Sequence, residues 1–317
     1  MDSLLGLRQT SAADIRRILS TAISMRDVLE RSVKKVPTLR GRAVVTLFYE
    51  ASTRTRTSFE LAAKYMSADA VNISVAQSSV TKGESLTDTI RTLEAVTADC
   101  VIIRHPSAGA AHLAASCTPV PIINAGDGRH EHPTQGLLDA LTIRDVWRPD
   151  ATDWDLSGLI VTIVGDVAHS RVARSNAWGL TKLGATVRWC GPRTLIPAGA
   201  DGLPITVYDR LSDALDGAHV VMALRLQTER QERGLLPSLR EYSRCWGITA
   251  SSLRSAHPDA LVLHPGPMNR GVEISPEVAD GRAGHRSGIG EQVRNGVAVR
   301  MACLYLLIKP TAEGETL

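Results

Sequence analysis

At 317 residues the chain exceeds the length at which one hydrophobic core usually stops growing, so two domains of about 150 residues each are expected. A composition 44% hydrophobic and 22% charged is that of an ordinary globular protein. The near balance of 36 Lys and Arg against 33 Asp and Glu, with only 4% aromatic residues and no long run of like charge, argues against a nucleic-acid or membrane surface.

Cys100, Cys117, Cys190, Cys245 and Cys303 are scattered, without a CxxC pair or ligand-like spacing, and read as buried reduced thiols. No apolar run approaches the roughly 20 residues of a membrane span, so a cytoplasmic location is expected.

Residues 11–34 place Ile15, Ile18, Leu19, Ala22, Met25 and Leu29 at helical spacing, with Ser11 and Asp14 set like a capping box. AVVTLFY at 43–49 is an apolar run too short for a typical helix and suits a strand buried on both faces. A helix is expected from Ser58, through SFELAAKYM. The alternation continues with VNISV at 71, a helix LTDTIRTLEAV at 86, CVIIR at 100, a helix near 108–117 and VPIIN at 120.

After a polar break at 148–155 the series resumes with LIVTIV at 159, a helix over 171–183, ATVRWC at 185, HVVMAL at 219 and ALVLH at 260. The final helix, near 291–308, is expected to align Val293, Val297, Met301, Leu304 and Ile308 on one face; periodicity alone does not place it on either domain. The fold class expected is α/β, with two doubly wound parallel-sheet domains joined by helices and an active site in the interdomain cleft.

In parallel sheets ligands bind beyond the carboxyl ends of the strands, and polar residues cluster where those ends are expected. Ser52, Thr53, Arg54, Thr55, Arg56 and Thr57 follow the first strand; they read either as a phosphate cradle at a helix N-terminus or as a capped helix with solvated arginines. There is no GxxxxGK[ST], so a nucleotide P-loop is excluded. Ser78 through Glu84 includes Lys82, which reads on its own as a solvated lysine or as an ammonium projecting from a turn.

Arg104 interrupts an otherwise apolar run at the ligand edge of its strand. His132 precedes Pro133, a residue favoured at the first helical position, so His132 is expected to cap that helix. The helix dipole disfavours imidazolium there, making His132 a neutral hydrogen-bond donor or a structural cap. Gly165, Asp166, His169 and Arg171 follow another strand, but no complete GxGxxG is present. Arg225 and Gln227, then His264, Pro265 and Gly266, end two more strands.

Taken in order, STRTR with SFE, KGES, RHP, NAGDG then HPTQ, VGD with Arg171, LRLQ and HPGPMNRGVEI resemble the motifs of aspartate carbamoyltransferase catalytic chains, within the aspartate/ornithine carbamoyltransferase superfamily, over residues 5–308. The resemblance implies transfer of a carbamoyl group from carbamoyl phosphate to L-aspartate, an early step of pyrimidine biosynthesis, without metal or organic cofactor. It implies a carbamoyl-phosphate-binding domain at 1–137, with a C-terminal helix at 291–310 packing back on it, and an aspartate-binding domain at 138–290.

By the same resemblance, Ser52, Thr53, Arg54 and Thr55 hold the phosphate, and Thr55, Arg104 and His132 contact the carbonyl oxygen. Gln135 binds the carbamoyl amino group, Arg171, Arg225 and Gln227 grip aspartate, and Pro265 and Gly266 offer backbone carbonyls. Ser78 and Lys82 are implied to come from a neighbouring subunit of a homotrimer, Lys82 serving both substrates; a regulatory chain or a dihydroorotase is a possible further partner.

Two positions depart from the commonest pattern of that family. Val172 stands where some members have threonine, and Glu131 precedes His132 where glutamine is frequent, placing a carboxylate that opposes the helix effect on the histidine. Ornithine carbamoyltransferases are expected to show HPCQ, an SMG loop and an HCLP cysteine, none of which is here. The other readings are another transcarbamylase with an unusual acceptor; a non-catalytic scaffold, against which the intact Arg54, Lys82, Arg104, His132 and Arg225 speak; and a dinucleotide-dependent dehydrogenase, which lacks its glycine fingerprint.

Overall fold

The computed structural model describes residues 1–74, 83–227 and 234–308. Its contacts divide the chain into two compact units, Met1–Thr134 together with the residues from Arg294 onward, and Gln135–Val293.

The first unit opens with helix α1, Ala12–Glu30, whose start is set by Ser11: its Oγ accepts from the Asp14 amide at 3.0 Å and donates to the Asp14 carboxylate at 2.8 Å. Strand β1, Ala43–Phe48, is buried from Val44 onward, which is why its sequence reads as one apolar run rather than an alternation. It is followed by α2, Thr53–Tyr65, and β2, Asp69–Ser74. Next come α3, Leu86–Ala95, and β3, Cys100–His105. The series ends with α4, Ala110–Ser116, then β4, Ile122–Asp127, and α5, Pro133–Trp147, which runs on into the second unit.

The four strands lie in the order β2, β1, β3, β4, and every pairing is parallel. Val45 and Leu47 of β1 and Val101 and Ile103 of β3 point to one face, where they pack with Ile90 and Leu93 of α3 and Ala111 and Ala114 of α4. Each large aliphatic side chain buried in this way contributes about 1.5–3 kcal/mol.

The second unit carries β5, Ile160–Val164; α6, Arg171–Lys182; β6, Thr186–Cys190; β7, Thr206–Tyr208; and α7, Leu211–Leu215. It continues with β8, Val220–Ala223; α8, Leu239–Trp246; β9, Leu261–Leu263; α9, Pro276–Ala279; β10, Arg286–Ser287; and the start of α10, Ile289–Leu307. Six parallel strands lie in the order β10, β9, β8, β5, β6, β7. Among the described residues the expected pair of parallel α/β sheets is therefore present.

Three expectations need correction. Helix α2 begins at Thr53, not Ser58, because Thr55 lies on the same buried stripe as Phe59, Ala62 and Ala63; a small polar side chain occupies an inner position that apolar periodicity does not count. The C-terminal helix buries Met301, Leu304 and Ile308 of the expected face, but Val293 is 59% exposed, and Gln292, Asn295 and Arg300 are buried as well, with Val299. Those polar residues are inside because partners meet them, as when Arg300 donates to Gly296 O and Ser58 Oγ and lies over the Phe59 ring.

Cysteine burial also differs from expectation. Cys100, Cys190 and Cys303 are buried, but Cys117 is half-buried and Cys245 is exposed on α8. All five are free thiols. Burial pushes the Cys190 and Cys303 thiols up to about 12, leaving them unreactive as thiolates at neutral pH. No described helix is long and apolar enough to cross a membrane.

Candidate active site

In the first unit the polar residues gather at the carboxyl ends of β1 and β3 and at the start of α5. Ser52 precedes α2, yet its hydroxyl makes no capping hydrogen bond, and the first turn of the helix carries no acidic residue. The amides of that turn, with the hydroxyls of Ser52, Thr53 and Thr55 and the exposed Arg54, form an arrangement suited to phosphate oxygens.

Arg104, the penultimate residue of β3, has its Nε 3.4 Å from Glu50 Oε2, and its Nη1 donates to Ala125 O at 3.3 Å. Glu50 was not singled out in the sequence; a lone glutamate after an apolar strand carries no signal of its partner. His105, beside it, tilts over the Tyr49 ring at 4.6 Å, and burial holds its imidazole below the usual value.

The segment leading to His132 is folded around two carboxylates. Asp127 accepts from Gly109 N at 2.7 Å, Asn124 Nδ2 at 2.7 Å and Glu131 N at 3.2 Å, with His130 Nδ1 at 3.1 Å. Burial alone would raise the Asp127 carboxyl, but the bonds from His130, Asn124 and Gly109 outweigh it and hold it below the usual carboxylate range. Gly128 sits at φ +49°, and a Cβ there would lie 2.6 Å from Ala108 N, so the turn requires glycine.

Glu131 turns away to the N-terminal segment, accepting from the Leu7 amide at 2.6 Å and the Arg8 amide at 3.1 Å. Its charge is thereby met by backbone donors. His132 itself is buried immediately before Pro133, the first residue of α5, as expected.

In the second unit, Asp166 after β5 holds two segments at once: one oxygen lies 2.7 Å from His169 Nδ1, and the other accepts from the Gln227 amide at 3.3 Å. Arg171 opens α6 behind Ser170, whose hydroxyl caps the helix by accepting from Ala173 N. Arg225 and Gln227 follow β8, both half-buried. After β9, His264 Nδ1 accepts from Gly266 N at 2.7 Å, so Nε2 bears the proton and donates to Glu273 Oε1 at 3.3 Å. Pro265 and Gly266 lie in that turn, and the Gly266–Pro267 peptide is cis.

Gln135 belongs by its contacts to this second unit. Its Nε2 donates to Asp139 Oδ1 at 2.9 Å, in a buried contact. Ser78 and Lys82 lie outside the described residues. The described residues contain one grouping with metal-ligand character, His112, Asp127 and His130, within 4.8 Å of one another. There Asp127 is already occupied as the acceptor that shapes the turn before His132.

Parallel α/β units whose strand ends carry guanidinium, imidazole, hydroxyl and amide groups make a protein suited to small anionic substrates. The chain belongs to the aspartate/ornithine carbamoyltransferase family: residues 2–145 match its carbamoyl-P binding domain, and residues 157–307 its Asp/Orn binding domain.

Among curated proteins, it is 58% identical over 305 residues to the aspartate carbamoyltransferase catalytic subunit of Desulforudis audaxviator, covering 96% of this chain and 97% of that one. To the same subunit of Pelotomaculum thermopropionicum it is 59% identical, covering 96% of each. The aspartate transcarbamoylase of Trypanosoma cruzi in complex with N-(phosphonacetyl)-L-aspartic acid superposes with a TM-score of 0.85 at 31% identity, covering 97% of this chain and 96% of that one. The ornithine carbamoyltransferase of Pyrococcus furiosus superposes at 0.82 with 26% identity, covering 96% of each.

Proposed function

We propose that the chain catalyses attack of the L-aspartate amine on carbamoyl phosphate, forming N-carbamoyl-L-aspartate and phosphate, in the cytoplasm and early in pyrimidine biosynthesis. The observation that carries this reading is the likeness, at 58% and 59% identity over 96% of the chain, to two aspartate carbamoyltransferase catalytic subunits.

Ser52, Thr53, Arg54 and Thr55 take the phosphate, an assignment supported by the uncapped start of α2. Thr55, Arg104 and His132 donate to the carbamoyl oxygen as negative charge grows on it. Losing one such donor typically costs about a hundredfold to a thousandfold in rate. Gln135 accepts from the carbamoyl amino group, and Pro265 and Gly266 offer carbonyls to it.

Arg171, Arg225 and Gln227 bind the two aspartate carboxylates. A close charge pair of this kind is worth about 4 kcal/mol at an effective dielectric of 20, before desolvation. Ser78 and Lys82 complete the site from a neighbouring subunit of a homotrimer. The amine proton leaves with the departing phosphate, and positioning of the two substrates supplies much of the remaining acceleration.

Incubation with carbamoyl phosphate and either L-aspartate or L-ornithine, followed by detection of the ureido product, tests the proposal. Carbamoyl-aspartate that is lost in His132→Ala supports it; citrulline means that the acceptor site takes an ammonium side chain instead.

A further inference from the structure

We infer that Asp139 fixes the orientation of the Gln135 amide and thereby makes the site select a carbamoyl group over an acyl group of the same shape. This rests on the carbamoyl-phosphate reading above and names a residue that it does not use. Asp139 is completely buried in α5. Three side-chain amides converge on its carboxylate: Gln135 Nε2 at 2.9 Å and Gln292 Nε2 at 2.7 Å on Oδ1, and Asn176 Nδ2 at 2.7 Å on Oδ2.

Two of these amides have no freedom to turn round. Gln292 Oε1 accepts from the His264 backbone N–H at 3.0 Å, so its NH2 end must face Asp139. Asn176 Nδ2 also donates to the Val172 carbonyl at 3.2 Å, so it too presents NH2 to the carboxylate. Both are invariable donors, and an ionised carboxylate only accepts.

Gln135 is the amide whose orientation is left for Asp139 to decide. With its Nε2 engaged by the carboxylate, its Oε1 is the atom left to face a ligand, and a carbonyl oxygen accepts. An acceptor at that place matches the N–H of a carbamoyl group and finds no partner in a methyl group. Asp139 is thus a positioning residue, acting on substrate choice through Gln135. It also ties Gln135 to the turn after β9 by way of Gln292 and His264.

The test compares binding of carbamoyl phosphate with that of acetyl phosphate, in which CH3 replaces NH2, by calorimetry at low temperature. In Asp139→Leu the acceptor that engages the Gln135 NH2 is gone, so the amide is no longer fixed with its carbonyl oxygen toward the ligand. Carbamoyl phosphate is expected to weaken about tenfold or more, while acetyl phosphate changes by less than about threefold. Equal weakening of both ligands, or of neither, overturns the inference and leaves Asp139 a purely structural residue.

Gln135→Leu supplies a second reading should Asp139→Leu fail to fold. It should lose the preference for carbamoyl over acetyl phosphate, and an unchanged preference would also overturn the inference. Because binding is measured directly, absence of turnover with aspartate would defeat the proposed activity without deciding this point.

Discussion

Glu50 Oε2 lies 3.4 Å from Arg104 Nε, so the guanidinium proposed to polarise the carbamoyl oxygen is held from behind by a carboxylate on the adjacent strand's end. The pair is mostly buried, with side-chain exposures of 14% and 19%. Ala125 O takes a further Arg104 N–H, which limits the ways the side chain can turn.

Replacing Glu50 by glutamine keeps the volume but removes the charge that aims Arg104. A drop in kcat of about tenfold to a hundredfold is expected, with a smaller effect than Arg104→Ala. Steady-state kinetics decide it: a kcat within twofold of the parent would show that Arg104 is aimed by other contacts.

Glu131 anchors the N-terminal segment. Its carboxylate accepts the Leu7 and Arg8 amides, next to the bridge that pairs Leu4 with Ile123 of β4. Glu131→Ala should cost about 2 kcal/mol and lower Tm by roughly 4–8 °C. Gly6→Ala should act in the same direction, because a Cβ there would lie 2.5 Å from Glu131 Oε1. Thermal unfolding in which both variants match the parent would remove this role.

The second unit should lose stability in mild acid. His219 stacks on His257 at 5.1 Å, with Trp147 edge-on to both. Burial, followed by His257, Arg148 and Arg188, holds the His219 imidazole below its ordinary 6.5. The folded state therefore binds the proton more weakly than the unfolded chain. The stabilisation is present above about pH 6.5 and declines as pH falls through the lowered folded value. His219→Asn, which keeps an acceptor for the Ile160 amide, should flatten part of the fall in Tm between neutral pH and about pH 5. Parallel Tm curves for parent and variant would assign the acid sensitivity elsewhere.

If Ser78 and Lys82 complete a neighbour's site, two inactive variants should rescue each other. Mixing Lys82→Ala with Arg54→Ala subunits under conditions that exchange subunits should restore a fraction of activity, because some mixed sites contain neither substitution. No recovery after exchange verified by mass spectrometry would mean that each chain builds its own site.

Much of the framework was legible because buried parallel strands write themselves as short apolar runs. AVVTLFY and LIVTIV became β1 and β5. Ser11 was recognisable as a cap because capping is a local interaction over three residues. The short elements β7, α7, α8, α9 and β10 were not anticipated. Several are five residues or fewer, too short for a period to emerge, and α8 buries only Tyr242. On α10 the expected face holds at Met301, Leu304 and Ile308 but not at Val293, and the helix also buries Gln292 and Arg300, whose partners lie far away in the chain.

By itself, the sequence determined the two parallel α/β sheets, the family, and the strand ends at which Arg54, Arg104, His132, Arg171 and Arg225 stand. Those properties follow from local patterns and from motifs in a fixed order. Only the tertiary structure decided what orients these groups: Glu50 behind Arg104, Glu131 on the N-terminal amides, Asp139 under Gln135 and Glu273 on His264. The reason is physical. A buried carboxylate is stable only where donors from several segments converge on it, and that convergence is a property of packing, with no spacing in the chain to record it.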